Sequence, residues 1–137
     1  MAIWLLIGTP ENWKFGFEHG NIWGFPMSYE PKWSEMQVGD VIVYYAMRSI
    51  KKLIGYGAVD SKMRSEQPFF PAEVELKRPL WPLRINFTST CLIKFEEWQS
   101  KGYPLERRGV IFQRALQKLN EERGLELMHG LSGGQSG

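Results

Sequence analysis

The chain has 137 residues, a length that predicts a single domain with one hydrophobic core. Its composition, 43% hydrophobic and 23% charged, is typical of a globular protein and excludes a disordered one. The formal net charge of +2 is too small to indicate nucleic-acid binding by charge alone. The single cysteine, Cys91, excludes an internal disulfide framework and favours a cytoplasmic location. No apolar run reaches the roughly 20 residues that span a bilayer, so we expect no membrane partner.

The first half of the chain predicts three strands, each an apolar run bounded by glycine, proline or polar turn residues. These strands cover residues 2–8, 37–49 and 51–62. We expect the second and third to pair as a hairpin around residues 48–51. Thr9 and Pro10 are typical of a helix N-cap and first helical position, so a short helix is predicted over residues 9–19. A further helical turn is expected over residues 29–36.

The second half predicts an ordered loop with a helical turn, a fourth strand, a short helix and an amphipathic helix. In chain order these segments cover residues 67–82, 83–94, 94–103 and 109–122. The Gly/Ser-rich segment 129–137 predicts a flexible tail, so we expect the folded domain to cover residues 1–128. Four to six strands with short helices in their connections predict an α+β fold with a small mixed β-barrel.

One aromatic residue stands in an unusual context, the segment HGNIWGFP over residues 19–26. Trp23 lies there between Gly20 and Gly24, and Pro26 follows. Glycine and proline predict a loop, and loops normally run over the surface. The ring of Trp23 therefore either turns inward as part of the core or forms one wall of a binding pocket. The residues alone leave both interpretations open.

The sequence contains no pattern that is typical of an enzyme or a cofactor site. The two histidines and one cysteine lie far apart, so no metal site is predicted. Gly55 and Gly57 lack the third glycine and the following helix of a dinucleotide loop, so no cofactor is predicted either. Cys91 lies in an apolar strand without an adjacent base, which favours a core role over a nucleophile. These observations favour a protein that is not an enzyme.

Several short motifs occur in an order that resembles a known family. They are ENW (11–13), NIWG (21–24), VGDVIVYY (38–45), LIGYGAV (53–59), WPLRI (81–85) and a closing helix. In this order they resemble the EVE domain family of the PUA-like superfamily, over about residues 2–127. The resemblance implies a PUA-like small mixed β-barrel with short peripheral helices. EVE domains are similar to the YTH readers of methylated adenine, whose pattern of Asn and then Gly-x-Trp-Ser resembles Asn12 followed by residues 20–24.

The resemblance implies a reader of a modified, methylated base in DNA or RNA, presented on a single strand or flipped out of a duplex. Trp23 would then form one wall of an aromatic cage. Backbone groups of Asn21, Ile22 and Gly24 would meet the base edge, and Asn12 would hydrogen-bond a ring nitrogen. Gly24 stands where YTH proteins have Ser, which removes one side-chain contact.

The resemblance leaves the second cage wall open among Trp81, Phe69 and Phe70. Tyr45 and Arg84 complete the predicted site. Tyr44 and Tyr45 must point to opposite faces of their strand, so only one of them faces the pocket. Arg84 is interpreted either as a phosphate contact or as part of a structural ion pair.

Other basic residues are candidates for a rim that holds the nucleic-acid backbone. They are Lys51, Lys52, Lys62, Arg64, Lys77, Arg78, Arg107 and Arg108. Two alternative functions remain. A PUA-like hydrolase of modified nucleosides would need a Lys, a Thr and a Glu that converge in the pocket, and the spacing does not assemble them. A protein-interaction module would use the surface aromatic residues instead.

Overall fold

The structure, a computed structural model, describes residues 1–135 and contains one six-stranded sheet. The strands are β1 (Ile3–Gly8), β2 (Ile22–Phe25), β3 (Val41–Ala46), β4 (Lys52–Arg64), β5 (Leu83–Leu92) and β6 (Leu116–Leu119). Across the sheet they follow the order β2-β5-β4-β3-β1-β6. β1 and β3 run parallel, and every other neighbouring pair runs antiparallel. The sheet curls into a half-barrel, which confirms the predicted mixed α+β class.

Short helices lie in the connections, as the sequence predicts. They are α1 (Pro10–Glu18), α2 (Glu30–Glu35), α3 (Pro71–Leu76) and α4 (Trp98–Lys101), with 3-10 turns at Met27–Tyr29 and Phe95–Glu97. A longer helix, α5 (Glu121–Gln135), follows β6. The start of α1 confirms the predicted cap, because the hydroxyl of Thr9 accepts a hydrogen bond from the backbone N–H of Asn12 at 3.2 Å. The hairpin of β3 and β4 is confirmed as well, and its turn holds Arg48 and Lys51 at positive φ of 59° and 54°.

The prediction of a loop over the segment around Trp23 is wrong, because residues 22–25 form the edge strand β2. Gly20 and Asn21, with φ of 98° and 57°, make a left-handed turn that brings this strand antiparallel to β5. An edge strand pairs on one side only, so Pro26 directly after it interrupts no ladder. The turn-forming residues therefore lie at the ends of the segment.

The predicted amphipathic helix over residues 109–122 is also wrong. Residues 116–119 form β6 beside β1, and α5 begins only at Glu121. Pairing with β6 supplies partners for the backbone groups on the outer edge of β1, which a helix at this position would leave unpaired. A strand of four residues is too short to show clear alternation, so the spacing of its leucines favoured a helix.

Helix α5 runs through the segment 129–135 that the sequence predicts as a flexible tail. Leu131 in this segment is buried in the core, so the predicted boundary at residue 128 is corrected. Gly130 in this segment allows close packing, since a Cβ on it would lie 2.4 Å from the ring of Tyr103. Residues 136 and 137 lie outside the described part of the chain.

The core contains three fully buried tryptophans, Trp4, Trp13 and Trp98. Each of their indole N–H groups donates to a protein acceptor. Trp4 donates to the carboxylate of Asp40 at 3.0 Å, and Trp13 donates to the backbone oxygen of Tyr45 at 2.9 Å. A buried donor without a partner is costly, so these acceptors allow the rings to stay inside the sheet.

We expect Asp40→Ala to destabilise the fold by about 2–3 kcal/mol, because Asp40 also accepts from two backbone N–H groups and its loss leaves the Trp4 N–H unpaired. Burial by itself would raise the pKa of Asp40, but these hydrogen bonds hold it below its usual value. A group with a lowered pKa stabilises the fold above its unfolded pKa, and this contribution is lost as the pH falls through its folded pKa. Urea unfolding should therefore show a difference between wild type and variant that shrinks below about pH 4. A constant difference from pH 7 to pH 3 would contradict this.

Candidate functional site

A cavity of about 180 Å³ opens where the end of β1 meets the start of α1 and strand β2. Its lining is mostly apolar and includes three aromatic rings, those of Trp23, Phe70 and Trp81. Asn12 and Thr9 supply the polar side chains of the lining. The volume is below the roughly 300–1,000 Å³ that is usual for drug-sized ligands. The cavity therefore suits a single small ring system.

The indole of Trp23 belongs both to the core and to this cavity. One face of the ring stacks on Trp13, with centroids 3.7 Å apart and planes 7° from parallel, and only 5% of the residue is exposed. Its Nε1 is buried, and no group among residues 1–135 accepts its hydrogen bond. An unpaired buried N–H costs about 1–3 kcal/mol.

The other two rings of the cavity come from the loop that precedes β5. The ring of Phe70 stands nearly perpendicular to Trp23, at 80° and 5.9 Å, and nearly perpendicular to Trp81, at 85° and 5.4 Å. Phe69 does not line the cavity but packs against Phe15 and His19. Of the three candidates for a second wall, Phe70 and Trp81 therefore lie at the cavity, and Phe69 does not.

Two glycines allow the aromatic residues to approach the backbone. A Cβ on Gly8 would lie 2.2 Å from the ring of Trp23, and a Cβ on Gly24 would lie 2.7 Å from the Cβ of Trp81. Any larger residue at these positions would displace one of the walls. This contact gives a physical reason for Gly24 at the position where the YTH pattern has Ser.

The structure brings some of the predicted site residues together and separates others. Asn12, Trp23, Gly24 and Trp81 line the cavity. The residues that do not line it are Asn21, Ile22, Tyr45 and Arg84.

Asn21 and Ile22 form backbone pairs with the neighbouring strand β5. The oxygen of Asn21 accepts from the N–H of Phe87 at 3.1 Å, and Ile22 pairs with Asn86. Tyr45 packs instead against Phe112, with centroids 5.2 Å apart, at a separate cavity. The backbone groups of Asn21 and Ile22 that were expected to meet a base edge therefore pair with β5, and neither these residues nor Tyr45 line the Trp23 cavity.

Arg84 is 5% exposed, and its guanidinium forms an ion pair with Glu73 at 3.2 Å. Of the two interpretations for Arg84, the structure contains the ion pair. The same guanidinium donates to the backbone oxygens of Gln67 and Trp81. Arg84 therefore fixes the loop before β5 and is not free to contact a phosphate.

Glu73 is a central residue that the sequence analysis missed. Its side chain is fully buried, and its carboxylate accepts four backbone N–H groups, those of Phe69, Phe70, Leu80 and Trp81. Burial by itself would raise the pKa of Glu73, but these hydrogen bonds outweigh it and hold the pKa below its usual value. The available signal was its position three residues after Phe70, which is the spacing of a capping box.

The Trp23 cavity contains one of the three residue types that a PUA-like nucleoside hydrolase would need there. Thr9 lines the cavity, but neither a lysine nor a glutamate lines it. Burial raises the pKa of the Cys91 thiol, which disfavours the thiolate.

Within residues 1–135, no three His, Cys, Asp or Glu side chains group as metal ligands, and no helix is long and apolar enough to cross a bilayer.

Known structures resemble this chain over nearly its whole length. The NMR structure of Rpa0253 from Rhodopseudomonas palustris has 15% sequence identity and a TM-score of 0.64, over 96% of this chain and 94% of that chain. The Mmi1 YTH domain in complex with RNA has 11% identity and a TM-score of 0.66, over 98% and 80%. The Toxoplasma CPSF4 YTH domain in complex with a 7-mer m6A-modified RNA has 19% identity and a TM-score of 0.60, over 96% and 90%.

The chain has the fold of these YTH domains. At these low identities the likeness establishes the fold alone. The sequence matches no protein-family model and no sequence of a curated protein. The aromatic cavity must therefore be interpreted from its own residues.

We expect Glu73→Ala to destabilise the protein by about 3–5 kcal/mol, because it leaves the guanidinium of Arg84 buried without its partner. The control is Glu75→Ala on the same helix, which removes an exposed carboxylate. Chemical unfolding at pH 7 should separate the two variants by several kcal/mol. Because the pKa of Glu73 is lowered, the stability that it contributes is present above the usual glutamate pKa and is lost as the pH falls through the folded value. Equal stabilities of the two variants would contradict the role given to Glu73.

Proposed function

We propose that this chain is an EVE-type nucleic-acid-binding domain that reads a modified, methylated base in the Trp23 cavity. The observation that carries the proposal is the small, mostly apolar cavity lined by the rings of Trp23, Phe70 and Trp81. The structural neighbours include YTH domains in complex with RNA, one of them an m6A-modified RNA. This makes RNA the first choice of ligand, and DNA the alternative to test.

The size and the mostly apolar lining of the cavity suit a single base. A base has a π-face, and its stacking on an aromatic side chain is worth about 1–3 kcal/mol. A methyl group adds apolar area that a cavity lined by Phe70 and Trp81 would remove from water. A base inside a duplex presents no free face, so the ligand must be single-stranded or flipped out.

The polar groups at the cavity suit a base edge. Ring nitrogens and carbonyl oxygens of a base accept hydrogen bonds, and its amino groups donate them. The amide of Asn12 both donates and accepts, so it can pair with either kind of edge group. No charged side chain lines this cavity, so a neutral base is favoured over a free phosphate.

A panel of single-stranded heptanucleotides tests the proposal. Each carries a central adenine or cytosine, methylated or not, as RNA and as DNA, and binding is followed by fluorescence anisotropy. We expect a methylated strand to bind more tightly than its unmodified partner. Equal binding of all strands would contradict base reading. Conversion of the corresponding free nucleosides, including acetylated cytidine, into new products would contradict the assignment as a non-enzymatic protein.

Two tryptophan variants separate binding from folding. We expect Trp81→Ala to weaken binding of the best strand by about 1–3 kcal/mol, roughly 5- to 150-fold, because it removes one stacking surface of a partly exposed residue. The control, Trp98→Ala, removes a fully buried ring outside the cavity, so it should lower stability by about 3–5 kcal/mol. The folded fraction of the control should keep its affinity. If Trp81→Ala kept full affinity and the folded fraction of Trp98→Ala lost it, the ligand would bind outside the Trp23 cavity.

A further inference from the structure

A second cavity, of about 370 Å³, adjoins the first at the carboxyl ends of β1 and β3. Ile7 and Met47 line both cavities, so the two share a wall. The backbone N–H of Met47 donates to the oxygen of Gly8 at 2.9 Å, which ties this wall to the end of β1. A ligand longer than one ring can therefore extend from one cavity into the other.

The charged side chains that line the second cavity are all cationic. Arg48 and Lys51 come from the turn between β3 and β4, and Arg107 comes from the segment before β6. No Asp or Glu lines this cavity, and none of the three cations forms an ion pair within residues 1–135. By contrast, carboxylates line the two cavities beside α5. The second cavity therefore favours an anion.

Aromatic rings give the same cavity an apolar surface. Tyr45 and Phe112 pack at 5.2 Å with planes 56° apart, and the guanidinium of Arg107 lies 5.9 Å from the centre of the Phe112 ring. Burial raises the pKa of Tyr45 and the charge of Arg107 opposes this, which agrees with a guanidinium near the phenol. The cavity thus offers flat apolar contacts beside unpaired cations.

Another cavity with basic side chains is less suited to an anion. Lys32, Arg114 and Lys118 line it, but Lys118 is already paired with Glu35 at 2.7 Å. It also shares no lining residue with the Trp23 cavity. A nucleotide chain that enters the Trp23 cavity therefore has a more direct continuation beside Met47.

We propose that the second cavity binds the nucleotide adjacent to the read base in the same strand. Its phosphodiester group would contact Arg48, Lys51 and Arg107, and its base would lie against the apolar surface that includes Phe112. This inference rests on the proposed function and extends it, because it makes the ligand a strand of at least two linked nucleotides. It also assigns a binding role to Tyr45 and Phe112 that differs from a cage wall.

The test compares free nucleosides with strands in two charge variants. Lys51→Gln/Arg107→Gln removes two cations of the second cavity. The control, Lys77→Gln/Lys94→Gln, removes two exposed cations that line neither cavity, and Lys77 shares the positive φ of Lys51, 58° against 54°. The probes are N6-methyladenosine and 5-methylcytidine, alone and as the centre of RNA and DNA heptanucleotides, with binding measured by calorimetry.

We expect the best strand to bind wild type and the control at least tenfold more tightly than its free nucleoside. Lys51→Gln/Arg107→Gln should lose most of this gain and keep the nucleoside affinity. For this variant, the slope of log K against log salt should be shallower by about 0.7–1.4. This change corresponds to the loss of one or two phosphate contacts on a single strand.

Equal losses in the two charge variants, or equal wild-type affinities for strand and nucleoside, would overturn the inference and leave the proposed function standing. Failure of every modified probe to bind wild type would overturn both.

Discussion

The geometry of the aromatic cavity depends on one buried carboxylate, that of Glu73. The segment between β4 and β5 has no strand partner, so its backbone N–H groups need other acceptors. Glu73 supplies them at both ends of the segment, beside Phe70 and beside Trp81. Arg84 balances the buried charge and itself holds the segment through backbone oxygens. A buried pair of this kind is costly to desolvate, and it is tolerated because the carboxylate is almost fully hydrogen-bonded.

This arrangement determines where the walls of the cavity stand relative to Trp23. Trp23 itself is fixed by β1 and α1, because the ring of Trp13 stacks on one of its faces and Gly8, which has no Cβ, leaves room for the edge of its ring. The ring is therefore fixed before any ligand arrives, and little conformational entropy remains to be lost on binding. The unpaired N–H of Trp23 is the exception in a core whose other buried indoles have acceptors. The two interpretations of Trp23 as core and as pocket wall are thus compatible in this fold.

The sequence predicted correctly those elements that are determined by residues close to one another in the chain. The Thr9 cap, the β3–β4 hairpin and the apolar run of β1 were found because each depends on neighbouring residues. Strands β2 and β6 were missed because each is a four-residue edge strand that exists only through its partner. Glu73 and Arg84 were not recognised as a pair because they meet only after the intervening loop folds back. The glycines of the segment 129–137 were interpreted as signs of flexibility, whereas Gly130 is packed against the ring of Tyr103 and has no room for a Cβ.

Rigidity of the cavity matters for the proposed function, because a methyl group would add little binding energy. Burying one methyl or methylene group gains only about 0.8 kcal/mol, which corresponds to about fourfold in affinity. Discrimination of roughly 10- to 200-fold requires walls that cannot adjust to the smaller, unmodified base. Phe70 and Trp81 would relax around that base if their loop were mobile, and Glu73 fixes the loop at both ends. Because the net charge is only +2, general attraction for nucleic acid contributes little. Under the proposed function, selectivity must therefore come from the fixed shape of the cavity, and that shape depends on a carboxylate that does not line it.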